Sequence, residues 1–172
     1  YERDLEPGEV IVIRRGRLRT LRPFAAAPRQ AFCIFEQIYF ARPDSNVIGH
    51  SVYQFRKELG RILSREHPVA ADMVVPVLDS GNAAALGYAE EAGIPYETAL
   101  IRNQYVKRTF IEPSASIRDF RVRIKHNASR QLVGGKRVVL VEDSIVRGTT
   151  LLKLVGLIRQ AGASEVHVRV SS

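Results

Sequence analysis

Residues 138–150 read Val-Val-Leu-Val-Glu-Asp-Ser-Ile-Val-Arg-Gly-Thr-Thr, and this run carries the densest chemistry in the chain. Four apolar residues suit a strand buried on both faces, and Glu142 and Asp143 stand where such a strand would emerge. Carboxylates at that place can accept hydrogen bonds from a sugar diol or reach a divalent cation. Ser144, Val146, Arg147, Gly148, Thr149 and Thr150 follow as a short turn feeding a helix. Backbone N–H groups, threonine hydroxyls and the positive helix end together make a cradle for phosphate. Any buried strand can end in an acid and any helix can start with threonine. The two in sequence describe the grip that a ribose 5-phosphate needs.

A second strand end, Val77-Leu78-Asp79-Ser80-Gly81, precedes a helix beginning at Asn82. Alone it is a turn with a helix cap. In the same sheet as the first cradle it reads as a second anion site, because Gly81 lets backbone amides approach a phosphate. A ribose bearing phosphate at both ends would satisfy both sites. Between Arg102 and Phe110 lies a basic segment interleaved with Tyr105 and Phe110. Such a segment suits a nucleic-acid surface, a lid over a phosphorylated substrate, or a plain solvated loop.

The elements that must position these residues alternate along the chain. Val10–Ile13 and Arg17–Leu21 form a hairpin around Arg14-Arg15-Gly16, and a small-residue linker follows between Pro23 and Pro28. Ile34–Phe40 is expected as a strand. Ser51 opens a helix with capping-box spacing to Gln54, and Val52, Phe55, Leu59 and Ile62 are its expected inner face. Met73–Val77, Tyr96–Ile101, Arg137–Val141 and Val166–Val170 are expected strands; Asn82–Ala92 and Thr150–Ala161 are expected helices, the latter with Leu151, Leu154, Val155 and Ile158 inward. Arg102–Gly135 is too long and polar for a plain connection and is expected to be a flexible functional loop, with local structure near Ser116–Val122. Alternating strands and helices predict an α/β fold with a parallel sheet and ligands at the strands' carboxyl ends.

Composition narrows the classes. At 172 residues the chain suits one domain with a short appendage, and its 45% apolar content is ordinary. The single cysteine, Cys33, excludes an internal disulfide framework, and no apolar stretch is long enough for a membrane span, so a cytoplasmic setting is expected. The net charge of +8 suits nucleic acid, a phosphorylated small molecule or a solvated basic face. The Walker phosphate loop and the serine elbow are both missing, and Gly134-Gly135-Lys136 reads as a turn. His50, His67, His126 and His167 lack metal-ligand spacing and are expected to be incidental.

These motifs resemble the type I phosphoribosyltransferases, and among them the phosphoribosyltransferase domain of the glutamine phosphoribosylpyrophosphate amidotransferases. The resemblance runs from about Val10 onward. It is carried by Phe35-Glu36-x-Ile38-Tyr39-Phe40-Ala41-Arg42-Pro43-Asp44-Ser45, Asp79-Ser80-Gly81, Asn103-x-Tyr105-Val106-x-Arg108-Thr109-Phe110-Ile111 and Asp143–Thr150. It implies that Glu142 and Asp143 hold the ribose diol of phosphoribosyl pyrophosphate (PRPP), and that Ser80, Glu142 and Asp143 serve Mg²⁺. Asp79-Ser80-Gly81 would face pyrophosphate, Arg147–Thr150 would cradle the 5-phosphate, and Ser144 and Val146 would also bind PRPP. Tyr105 and Arg108 would be catalytic residues on a closing loop that helps to form an ammonia channel.

The implied reaction is displacement of pyrophosphate by ammonia to give phosphoribosylamine, the first step of purine biosynthesis. Leu78, Arg102, Lys107 and Glu142 depart from the family's usual proline, lysine, glycine and aspartate. The resemblance further implies that residues 1–30 are the remnant of a glutaminase domain with its linker. Residues 31–172 would be the phosphoribosyltransferase domain without its C-terminal hood. Residue 1 is tyrosine rather than a nucleophilic cysteine, so ammonia rather than glutamine is the expected nitrogen source. Cys33 matches a position that ligates a [4Fe–4S] cluster in some members, and here a buried thiol is expected. Homo-oligomers and feedback by purine nucleotides belong to the same set of expectations, with no membrane or nucleic-acid partner. A PRPP-sensing, nucleic-acid-binding module of the same fold is the alternative, motivated by Arg14, Arg15, Arg17, Arg19 and Arg22.

Overall fold

The structure is a computed structural model and describes residue 3 and residues 5–25, 31–103 and 126–172. It divides into two compact units, Tyr1–Ile34 and Phe35–Ser172. The first is the expected hairpin. β1 (Val10–Arg14) pairs antiparallel with β2 (Arg17–Leu21), Val10 facing Leu21 and Arg14 facing Arg17. Arg15 and Gly16 both take positive φ, 50° and 72°, which is the two-residue turn whose twist matches that of the strands. Glu9 anchors the preceding segment. It accepts both Arg3 Nη atoms at 2.8 Å and the Glu6 N–H at 2.8 Å, and these bonds hold its carboxyl down at about 2. Cys33 is exposed rather than buried, because no apolar neighbour covers it within the described part of this unit.

The second unit is built on parallel strands. β5 (Met73–Pro76) pairs with β8 (Arg137–Glu142), and β8 with β9 (Glu165–Val170). Tyr96 adds a parallel bridge to Val74 on the other side of β5. Alternate residues of β8 feed two cores. Val138 and Leu140 pack with Val75, Leu100, Leu154 and Ile158, whereas Val139 and Val141 pack with Val74, Leu63, Ala85 and Tyr88. β5 and β8 are therefore covered on both faces, as their continuous apolar runs require.

The covering helices are α1 (Val52–Glu66) and α2 (Asn82–Ala92) on one face, and α4 (Thr149–Gln160) on the other, with a single turn, α3 (Arg130–Val133), before β8. α1 starts at Ser51, whose hydroxyl accepts the Gln54 N–H at 3.4 Å, after the short hairpin of β3 (Asn46–Val47) and β4 (His50–Ser51). The expected Tyr96–Ile101 strand is divided between the Tyr96 bridge and β6 (Leu100–Arg102), which turns away to pair antiparallel with β7 (His126–Ala128). Residues 104–125, between these two strands, lie outside the described residues. With them lie Tyr105, Arg108 and the expected local structure at Ser116–Val122.

Three further expectations are corrected. Arg102–Gly135 is not loop throughout, because Arg102 ends β6 and both β7 and α3 fall within it. Ile34–Phe40 is not a strand: Glu36–Phe40 is a turn of π-helix closed by the Ala41 N–H on the Glu36 carbonyl at 2.9 Å. Its apolar residues Phe35, Ile38 and Tyr39 recur at helical intervals, which an alternating strand would not accommodate on one face. The inner face of α1 is also rotated. Val52, Arg56, Gly60, Leu63 and Ser64 are the buried positions, while Phe55 and Leu59 are half-buried and Ile62 is at the surface.

Close approach of α1 and α2 explains that rotation. A Cβ built on Gly60 would lie 1.9 Å from the Ala84 carbonyl oxygen, and one on Gly87 would lie 1.9 Å from that of Lys57. The two helices thus touch backbone to backbone at two reciprocal points. Counting apolar side chains cannot find a face whose key position has none. Gly60→Ala should therefore force the helices apart and destabilise the fold by about 3 kcal/mol, at or above the upper end of ordinary overpacking, because the obstacle is main chain. Urea unfolding midpoints of the variant and parent check this.

Candidate active site

β5 and β8 end side by side, Pro76 level with Val141, so the turns that leave them are neighbours. The turn after β5 is tied to β8 by the Val77 N–H on the Val141 carbonyl at 2.8 Å, and folds back through the Gly81 N–H on the Val77 carbonyl at 2.9 Å. A Cβ on Gly81 would meet the Val141 carbonyl oxygen at 2.6 Å and the Val77 carbonyl oxygen at 2.8 Å, so only glycine allows this turn to nest there. Its Leu78–Asp79 peptide is cis. The turn after β8 reaches α4 through Gly148 at φ 68°, a left-handed conformation that glycine adopts without cost.

Both turns deliver helix N-termini without a side-chain cap: neither Gly81 at α2 nor Gly148 at α4 supplies one. Ser51 does so for α1. Uncapped first-turn N–H groups are donors awaiting an acceptor, and the helix dipole favours an anion there.

A cavity of about 710 Å³ lies over these turns. Its lining brings together Leu78, Asp79 and Ser80 from the first turn and Glu142, Asp143 and Ser144–Thr150 from the second. Gly81, beneath them, does not line it. The aromatic side chains of Phe35 and Tyr39 form another part of the wall, with ring centroids 5.5 Å apart. Arg102, from β6, completes the side nearest Asp79 and forms an ion pair with it. Cys33 lies in the other unit, and Tyr105 and Arg108 lie outside the described residues.

Phe35, Tyr39, Arg102 and Ile145 line the cavity without having been expected as site residues, and His126 was expected to be incidental. His126 is buried and lines the cavity, because the ribbon pairs it with Arg102. Nothing in its local sequence distinguishes it from the other histidines; only the antiparallel return of β7 brings it inward. His50 and His67 are at the surface, as expected, and His167 pairs with Glu165 at 2.8 Å.

The two acids differ. Asp143 is 4% exposed; its Oδ1 accepts the Ser144 hydroxyl at 2.9 Å, and its buried Oδ2 has no hydrogen-bond partner among the described residues. Such an acceptor awaits a donor or a cation. Burial, and then the charge of Asp143, push the Glu142 carboxyl up to about 7, against the opposing Asp143 N–H and Ser80 hydroxyl. Glu142 is thus poised to gain or lose a proton near neutrality.

With this geometry in place, comparison with known proteins becomes informative. Residues 53–171 match the phosphoribosyl transferase domain, and the chain belongs to that family. Its fold is the type I phosphoribosyltransferase fold. The relatives it resembles carry a more particular name. Amidophosphoribosyltransferase of Rhizobium etli is 56% identical over 100% of this chain and 36% of its own length, and that of Archaeoglobus fulgidus is 54% identical over 100% and 37%. A chloroplastic amidophosphoribosyltransferase of Glycine max is 53% identical over 99% and 30%. A solved structure of glutamine PRPP amidotransferase from B. subtilis, complexed with ADP and GMP, aligns with a TM-score of 0.85 at 51% identity, over 100% of this chain and 38% of that one. The chain thus spans a little over a third of the length of most of these relatives. Among the described residues no helix is long and apolar enough to cross a membrane.

The raised Glu142 carboxyl has a consequence for stability. Between about 4.5 and about 7 the folded chain keeps a proton that the unfolded chain has released. Stability therefore falls as pH rises through that window, and the full loss is present above it. Glu142→Gln should remove this loss and be the more stable protein above pH 7, by on the order of 1–2 kcal/mol after solvent screening of a partly exposed carboxyl. Urea unfolding of both proteins on either side of the window measures it.

Proposed function

We propose that the cavity binds PRPP and that the chain transfers its phosphoribosyl group to ammonia, releasing pyrophosphate and forming 5-phosphoribosylamine, the opening step of purine biosynthesis. One observation carries the reading. Two uncapped helix N-termini flank an acid pair whose more buried member has an unpartnered oxygen. Phosphate at one end, pyrophosphate at the other and a ribose diol between them match those three features in kind and order.

In this reading Thr149, Thr150 and the amides of Val146–Gly148 hold the 5-phosphate, with Ser144 and Arg147 beside them. Asp143 and Glu142 accept hydrogen bonds from the ribose hydroxyls. Asp79, Ser80 and Gly81 receive the pyrophosphate, and Arg102, already drawn toward Asp79, adds positive charge on that side. Pyrophosphate departs from the ribose C1 with the bonding electron pair as the nitrogen lone pair forms the new bond, and the amine then sheds a proton to solvent. Fixed donors aimed at the departing oxygens favour the charge that develops there. Tyr105 and Arg108 are proposed as catalytic residues on the segment outside the described residues.

Mg²⁺ suits this site. Ser80, Glu142 and Asp143 offer hard oxygen donors, and the bare Oδ2 of Asp143 is one of them. Among the described residues no group of three or more His, Cys, Asp or Glu could cage a metal, so substrate oxygens and water must complete the coordination. When bound, the ion neutralises pyrophosphate charge. Toward a [4Fe–4S] cluster, which needs four thiolates, residues 1–172 offer one, Cys33, and the cluster is proposed only for a longer protein that supplies the others. Purine nucleotides are proposed as feedback ligands from the ADP and GMP in the B. subtilis relative, and a homo-oligomer and a cytoplasmic setting from the family resemblance. The nucleic-acid sensor is not favoured, since its relatives are named as amidophosphoribosyltransferases. The assignment of residues 1–30 to a glutaminase domain is likewise a proposal.

The test is titration of the chain with PRPP and Mg²⁺, followed by an assay of pyrophosphate release with ammonium. Asp143→Asn should remain folded and lose about 10- to 100-fold in PRPP affinity, the worth of one charge-assisted hydrogen bond, and Glu142→Gln should lose less. Unchanged affinity in folded Asp143→Asn would remove the sugar grip from this site.

A further inference from the structure

Arg56 lies on the inner side of α1 with 5% of its surface exposed. No carboxylate pairs with it among the described residues; Asp143 acts on it only through space. Its partners are two main-chain carbonyls: Nε donates to Gln37 O at 2.8 Å and Nη2 to Ala41 O at 2.9 Å. Burying a cation against neutral acceptors is costly, and an apolar residue on the same stripe of α1 would fill the position without that cost.

What the guanidinium secures is the π-helical turn. Gln37 and Ala41 lie at its two ends, and a planar fork can reach both at once. The turn sets Phe35 and Tyr39, which line the cavity although their side chains are about half exposed, at 47% and 49%. Rings exposed to that degree are not fixed by surrounding packing. Their placement depends on the backbone that carries them, and Arg56 grips that backbone from below.

We propose that Arg56 is a positioning residue of this site: through the Gln37 and Ala41 carbonyls it fixes the π turn and so holds the Phe35–Tyr39 wall against the cavity. The inference rests on the reading that the cavity turns over PRPP. A firm aromatic wall keeps water from the carbon that pyrophosphate leaves. A loosened wall admits it: water oxygen bonds to C1, the bond to pyrophosphate breaks with its electrons on the leaving oxygen, and a water proton passes to solvent, giving ribose 5-phosphate.

Two measurements on the intact chain test this, with Arg56→Lys, Arg56→Gln and Tyr39→Ala. In the first, amide hydrogen exchange at Ala41 should be slow in the parent and about tenfold or more faster in Arg56→Lys, with the α2 amides unchanged. Unchanged exchange at Ala41, or equal acceleration throughout α2, would overturn the proposal. Should both Arg56 variants fail to fold, the parent decides: an Ala41 amide exchanging as fast as an open loop would overturn it, and one protected like α2 would support it. In the second, pyrophosphate release without ammonium, relative to release with it, should rise several-fold in all three variants. A rise in Tyr39→Ala alone would overturn the role of Arg56. If the parent releases no pyrophosphate under either condition, the reading of the reaction fails, and the exchange measurement still decides whether Arg56 holds the turn.

Discussion

Everything at this site depends on the parallel pairing of β5 with β8. Their register brings Pro76 level with Val141, so two turns that are far apart in sequence leave the sheet together. The Val77 N–H then binds the Val141 carbonyl and Gly81 sits over both strand ends without room for a methyl group. A slip of two residues along either strand would keep the core's alternation, yet it would shift one turn from the other by about 6.6 Å. The sheet therefore acts as a ruler, with its apolar strands setting the spacing between charges that never enter the core.

A second constraint works from behind. The turn after β5 leads into α2, whose middle is pinned to α1 at Gly60 and Gly87. Backbone contact leaves no side-chain rotamers to absorb strain, so the pair moves as one body or not at all. α1 in turn carries Arg56 and the short β3–β4 hairpin at its start. The aromatic wall and the first anion turn are thus referred to the same rigid helix pair, while the second turn is referred to α4 on the opposite face.

Much of this is legible in the chain. Four apolar residues followed by Glu142-Asp143 and a glycine turn state their chemistry locally, and the hairpin, α2 and β8 follow from periodicity and from glycines at their ends. The failures share a physical cause. The π turn is hard to read because Phe35–Phe40 is short and mostly apolar, broken only by Glu36 and Gln37, and only its hydrogen bonds distinguish a tight helix from a strand. The face of α1 escaped because its contact position is a glycine and its neighbour a buried arginine, both of which a hydrophobic count scores as surface. His126 reaches the cavity through a strand pairing across residues 104–125, and that pairing leaves no trace beside the histidine itself.

The bare helix ends at Gly81 and Gly148 also bear on stability. Donors left to water give the empty chain less stability than a capped one would have, and any anion that seats there returns the difference by mass action, about 2.7 kcal/mol at a hundredfold excess over its Kd. Opening of the folded chain, which exposes it to proteases, becomes rarer in the same proportion. On the proposed reading, the empty protein would open more often than the one holding PRPP.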